Sequence, residues 1–200
     1  MRRVIGIALI AAVAIVAGVG AQGQSAGRGR AAKAALPVVV FEIVNKGSFE
    51  VEFYPNEAPK SVEHILALVR RNYYNGLRVH RVEPEFVVQF GDSLTRDMSK
   101  RAQWGGNGSG RAIGVAEISP KRAHKLGAVA LAHAGDAAGA DSQLYICLNG
   151  PARYEPPNYR LNGRYAVIGQ VTSGMDVVQK LSVLDIIRRA TVKQPAPGAK

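Results

Sequence analysis

The chain has 200 residues, 47% of them hydrophobic and 20% charged, enough for one domain with a sizeable core and against global disorder. Its formal charge of +11 at pH 7 attracts anionic partners in a salt-dependent way, but no recognition helix, RNA-binding or zinc pattern accompanies it, which speaks against a specific nucleic-acid site. Cys147 is the one cysteine, so an intramolecular disulfide and a cysteine metal cluster are excluded.

Met1-Arg2-Arg3 leads into an uncharged run from Val4 to Gly20, and Ala21-Gln22 follows. A basic start, an apolar middle and small residues at the exit make residues 1–21 an export signal, with cleavage expected after Ala21. The run is shorter than the roughly 20 residues of a spanning helix, and an uncleaved anchor through residues 4–20 stays open. The expected location is the periplasm or the cell exterior. Residues 22–35, rich in Gly, Ala, Ser, Gln and basic side chains, read as a flexible tether.

The folded domain is expected over residues 36–193. Val38 to Val44 and Ser48 to Tyr54 are strands joined by the short turn Asn45-Lys46-Gly47. Pro59 opens a helix on which Val62, Ile65, Leu66 and Val69 fall at i, i+3, i+4, i+7, and Asn72 and Gly76 end it. Leu77 to Val82 and Phe86 to Phe90 are two strands around a corner at Glu83-Pro84. A period of two puts Leu77, Val79 and Arg81 on one face of the first, and Phe86, Val88 and Phe90 on one face of the second. A long Gly- and Ser-rich loop reaches Arg111, and the segment from Arg96 to Lys125 carries seven basic residues against Asp97 and Glu117, a solvated or membrane-facing region. Further strands follow at 128–132, 142–146 and 165–171. A second helix from Gly174 carries the stripe Val177, Val178, Leu181 and Leu184, a last strand lies within 185–193, and residues 194–200 form a loose tail. Many short strands at regular spacing with only two helices predict a mainly β fold, an antiparallel closed barrel.

Several chemical readings fail on the pattern. Ser142, His80 and Asp92 lack a nucleophile elbow, and the glycines at 105–110 neither open a helix nor precede a Lys-Ser/Thr pair. His64, His80, His124 and His133 show no metal-ligand spacing, so no metal and no cofactor is expected. What remains is Arg81 with two amides and aromatic side chains around an apolar hollow. Taken alone, Arg81 reads first as a surface arginine on an ordinary barrel strand.

Four separated blocks carry more: V-H-R-V-E-P-E-F-V-V-Q-F-G-D, then G-A-V-A-L-A-H-A-G-D, S-Q-L-Y-I-C-L and L-N-G-R-Y-A-V-I-G-Q-V. In order and spacing from Leu36 to Lys193 they resemble a cyclophilin-type peptidyl-prolyl cis-trans isomerase of the exported bacterial kind. The resemblance implies a closed eight-stranded antiparallel β-barrel capped by two α-helices, in agreement with the elements above, and by it Arg81 matches the catalytic arginine. Phe86, Gln89, Gln143, Tyr145 and Leu161 fall on groove positions, and Val87, Ala132, His133 and Tyr165 on further ones. The resemblance implies an enzyme that acts on proline-containing polypeptides without a cofactor; no exposed heptad or long apolar face suggests assembly, so a monomer is expected. Departures from the family's usual pattern include Val79, Val87, Phe90, His133, Leu144, Arg160 and Tyr165. Those at Val87, His133 and Arg160 leave open a proline-peptide-binding or chaperone module with weak or no isomerase activity.

Overall fold

The computed structural model describes residues 35–155 and 160–194. The signal or anchor over 1–21, the tether as far as residue 34 and the tail from 195 lie outside the described residues. Strand β1 (Val38–Ile43) pairs with β2 (Gly47–Phe53) as a hairpin with Phe41 opposite Phe49. Its turn needs left-handed backbone, which Asn45 and Gly47 supply at φ 61° and 98°.

Helix α1 (Pro59–Arg70) follows the predicted stripe, with Val62, Ile65, Leu66 and Val69 buried. Ala58 offers no side-chain cap. Glu117, far along the chain, instead accepts the first-turn N–H groups of Lys60 and Ser61 at 3.1 and 2.8 Å, placing a negative charge at the positive end of the helix dipole. Asn72, at φ 59°, turns the chain out of the helix as expected.

Strands β3 (Arg81–Glu83), β4 (Val87–Phe90), β5 (Ala128–Leu131), β6 (Leu144–Cys147), β7 (Val167–Ser173) and β8 (Ile187–Val192) complete one antiparallel sheet, ordered β3-β4-β6-β5-β7-β2-β1-β8. The closed ladder predicted from the sequence is not completed. Between the end strands β3 and β8 the link is one isolated bridge, Arg78 to Ile186, with backbone bonds from Val79 N to Asp185 O and from Ile187 N to Leu77 O.

Two element predictions need correction. Residues 77–80 are not part of the β3 strand: Leu77 and Val79 bond to Leu184, Asp185 and Ile187 around the start of β8, whereas His80 N already donates to Gln89 O at 3.2 Å and 81–83 pair with β4. The alternation therefore breaks at His80. Leu77 and Val79 point into the core, whereas Arg81 sits opposite Gln89 on the outer face. The second helix, α2 (Met175–Gln179), is much shorter than its stripe. Leu184 adopts φ 81°, and the Asp185 carboxylate binds Ser182 N and Lys46 Nζ, which makes a turn where the helix would have continued.

Period two then builds two apolar layers. Val88, Phe90, Val129, Leu131, Leu144 and Ile146 face inward and pack with β1, β2 and α1, where Phe41 stacks on Phe49 at 5.1 Å and Phe90 meets Phe41 edge-on at 5.5 Å. Their sequence neighbours Val87, Ala128, Ala130, Tyr145 and Cys147 face outward into a second cluster with Phe86, Tyr154 and Val167. Small alanines on β5 leave room there. Tyr154 belongs to this outer layer, Leu161 and Tyr165 pack against it, and the candidate site forms there.

Candidate active site

Arg81 opens β3 and, paired with Gln89, puts its side chain on the face where β4 also presents an amide. Its Nη1 donates to Gln89 Oε1 at 3.2 Å, and its Nε lies 3.6 Å from the Glu83 carboxylate. The guanidinium stands 5.8 Å from the centroid of the Phe86 ring. Gln89 Nε2 donates to Gln143 Oε1 at 2.7 Å, and Gln143 Nε2 donates to the carbonyls of Gly105 and Asn107 at 2.9 and 2.7 Å. Both last partners can only accept, so the amide of Gln143 has one permitted orientation. That orientation dictates the Gln89 amide, which must turn its oxygen to Arg81.

The loop that sets this direction is itself held. Gly105 N and Asn107 N donate to Asp92 Oδ2 at 2.6 and 3.1 Å, and Leu94 N donates to Oδ1 at 2.7 Å. Asp92 is fully buried, and its oxygens are satisfied by backbone N–H groups. Gly91 brings β4 to this point at φ 108°, pressed so closely on the Ser142 backbone that a Cβ would collide with it. Further along, Asp141 gathers the same loop through Ser109 Oγ at 2.5 Å and the Gly110 and Arg111 amides, and meets His64 Nε2 of α1 at 3.0 Å. Burial alone would raise the Asp141 pKa, but these bonds together hold it below 3.8. Half-buried His80 lies beside Gly105. Burial pushes its pKa below 6.5 against the opposing pull of Asp92.

The apolar floor has its own support. Glu85 takes φ 56° in the turn before β4, which swings Phe86 onto the outer layer with Val87 and not, as alternation predicts, into the core with Val88 and Phe90. Phe86 stacks on Tyr154 at 5.8 Å, and the Tyr154 hydroxyl donates to Phe86 O at 2.7 Å. Tyr145 bonds through its hydroxyl to His124 Nε2 at 2.7 Å, while His124 Nδ1 meets Asn162 Oδ1 at 2.7 Å. Because Asn162 Oδ1 also accepts the His124 backbone N–H at 2.8 Å, Nδ1 carries the proton and Nε2 accepts from tyrosine. Burial drives the His124 pKa below 6.5 and the Tyr145 pKa well above 10.0. One neutral imidazole thus ties the groove floor to the turn that carries Leu161.

Together these side chains enclose a groove of about 380 Å³. Arg81, Phe86, Val87, Gln89, Ala132, His133, Tyr145, Leu161 and Tyr165, all predicted from the sequence, line it. Gln143 stands one step behind, against Gln89 and in an adjoining hollow of about 310 Å³. His133 stacks on Tyr165 at 4.4 Å and bonds to Arg164 O at 3.0 Å. A larger hollow of about 760 Å³ near residues 35–38 and β8 holds none of these groups. The roles of His124, Asn162, Asp92 and Arg164 at the groove escaped the sequence reading: His124 sits in the run Lys121-Arg122-Ala123-His124-Lys125, which has the look of solvated surface, and nothing in that run signals its burial.

A model of the cyclophilin type peptidyl-prolyl cis-trans isomerase family matches residues 38–197. A Brucella abortus protein named "Probable peptidyl-prolyl cis-trans isomerase" is 37% identical over 153 residues, 74% of each chain. Peptidyl-prolyl cis-trans isomerase B of Bacillus subtilis is 31% identical over 153 residues, 76% of this chain and 96% of its own. The crystal structure of a cyclophilin type isomerase from Cryptosporidium parvum, in the presence of the dipeptide Ala-Pro, shares the fold at a TM-score of 0.63 and 22% identity, over 79% of this chain and 99% of that one. With the family model running through every strand from β1 to β8 and curated relatives of this identity and coverage, the chain belongs to the cyclophilin-type peptidyl-prolyl cis-trans isomerase family.

Proposed function

We propose that this groove accelerates rotation about X–Pro bonds in unfolded or flexible polypeptides, with Arg81 as the catalytic residue, and assists their folding outside the cytoplasm. The observation that carries the reading is the directed chain from Asp92 through its loop, Gln143 and Gln89 to Arg81. It ends on a guanidinium that stands over an apolar hollow.

The uncatalysed rotation is slow because amide resonance gives a barrier of ~18–20 kcal/mol, so that exchange takes tens to hundreds of seconds. No covalent step is needed. In the twisted transition state conjugation is lost, and the prolyl nitrogen regains a lone pair that a planar peptide does not offer. A guanidinium has five N–H donors in a fixed fork. Two of its nitrogens are engaged by Gln89 and Glu83, and the charge is held at the groove. Donors fixed in advance favour the twisted state over both planar ones, an effect worth on the order of 10²–10³ in rate. Phe86, Val87, Tyr145 and Leu161 supply an apolar seat for the proline ring, while Gln89 and Gln143 hold the backbone on one side. The related Cryptosporidium parvum protein was solved in the presence of Ala-Pro, the smallest unit of such a substrate.

Exchange NMR on a short Ala-Pro peptide tests the reaction. Micromolar protein should produce exchange cross-peaks between cis and trans signals, and exchange no faster than in buffer would overturn the isomerase reading. The location rests on the sequence of residues 1–21. N-terminal sequencing of the exported protein should begin at Gln22, and a chain recovered only from the cytoplasm would refute export.

A further inference from the structure

Resting on the isomerase reading, the groove's charge narrows its substrates. Three arginines, Arg81, Arg160 and Arg164, line the 380 Å³ hollow, and among the described residues no aspartate or glutamate lines it with them. Carboxylates are near, but they are engaged. Glu83 lies against Arg81 Nε at 3.6 Å, and Glu155 accepts from the Asn162 side chain. Arg160 and Arg164 make no ion pair among the described residues, and both are exposed at the rim.

Their position is built and not a matter of loose surface. Arg164 N donates to Leu161 O at 3.0 Å, and Arg164 O accepts from His133, whose ring is stacked on Tyr165. Asn162, between the two arginines, is held by buried His124. This tight turn holds Arg164 beside Leu161 at the edge of the apolar seat, and Arg160 directly precedes Leu161, whose N–H donates to Tyr154 O at 3.2 Å. A peptide whose proline occupies that seat runs its neighbouring side chains past a rim of uncompensated positive charge.

We propose that the enzyme prefers prolines flanked by carboxylate side chains, with Arg160 and Arg164 as specificity-determining residues. Long guanidinium side chains can reach a Glu or Asp on the peptide and pair with it bidentately, while a Lys at the same place is repelled. The contacts are exposed, so the preference is modest and salt-dependent.

The test compares peptides of the form Xaa-Ala-Pro-Xaa with Glu, Gln or Lys at both flanking positions, each followed by exchange NMR and by chemical-shift titration. At low salt the Glu peptide should exceed the Lys peptide in kcat/KM by roughly 10-fold, with the gap shrinking at ~0.3 M salt, where the Debye length falls toward ~5 Å. The double variant Arg160→Glu with Arg164→Glu should reverse the order. Equal turnover of all three peptides would overturn the charge preference and leave the isomerase reading standing. Turnover of none would overturn the isomerase reading, and the titrated Kd values would then decide the preference: Glu tighter than Lys upholds it, equal values end it.

Discussion

Replacing Gln143 by leucine separates the directed amide chain from the arginine it serves. Wild-type Gln143 makes three hydrogen bonds, one to Gln89 and two to the Gly105 and Asn107 carbonyls, and it is 9% exposed. A net neutral bond is worth about 1 kcal/mol, and buried partners left unsatisfied add to the loss, so the variant should be less stable by about 1–3 kcal/mol. For a domain of this size that lowers Tm by roughly 2–4 °C per kcal/mol. Catalysis suffers through geometry. Without an acceptor at 143, the Gln89 amide is free to flip and present its NH₂ to Arg81, donor against donor. Loss of about one hydrogen bond of positioning corresponds to a fall in kcat/KM of roughly 5–10-fold, smaller than removal of the arginine itself. Gln143→Glu sharpens the test: it keeps an acceptor for Gln89 but repels the two carbonyls, so it should retain more activity than the leucine variant. Urea denaturation and exchange NMR on both variants give the two numbers. A Gln143→Leu protein with wild-type kcat/KM would refute the idea that amide direction is transmitted to Arg81.

Buried His124 takes a proton less readily when folded than when unfolded. Its contribution to stability is therefore full above its ordinary value of 6.5 and is lost as pH falls below it. Urea midpoints should drop from pH 7.5 to 5.5, and His124→Gln should flatten part of that slope, with the remainder left to His80; an unchanged slope would contradict the buried neutral imidazole. Asp141 has a depressed pKa, so its contribution is present above 3.8 and lost as pH falls through its folded value. Asp141→Asn should remove that acid-dependent part, read from stability curves below pH 4. Glu117→Gln takes the charge from the start of α1 and should cost about 1 kcal/mol in thermal unfolding while kcat/KM is unchanged.

Much of the fold was legible because strand alternation and a helical stripe are direct consequences of packing. Both hairpin strands and α1 emerged nearly as read, and so did the central strands, whose odd and even positions fill two different apolar layers. Alternation misled where the chain changes partners. Between Val79 and Arg81 the backbone leaves one strand for another, and a period of two carried through His80 placed Arg81 on the wrong face. The stripe in α2 ran past the point where Asp185 captures the backbone. Within the site the lining residues were readable through the family resemblance. The supporting ones were not, since His124 and Asn162 meet across 38 residues and only the fold brings them together. Two of the departures from the family pattern, Val79 and Phe90, lie in the inner core and do not line the groove.

Arg81 carries the central claim, and exchange NMR on wild type, Arg81→Lys and Arg81→Ala tests it most directly. The alanine variant should lose about 10²-fold or more in kcat/KM. Lysine, charged but without the planar fork, should fall between. Arg81 is a half-exposed side chain, and the alanine variant should keep its fold, checked by its unchanged amide spectrum away from the groove. Wild-type kcat/KM in a folded Arg81→Ala protein would contradict the account.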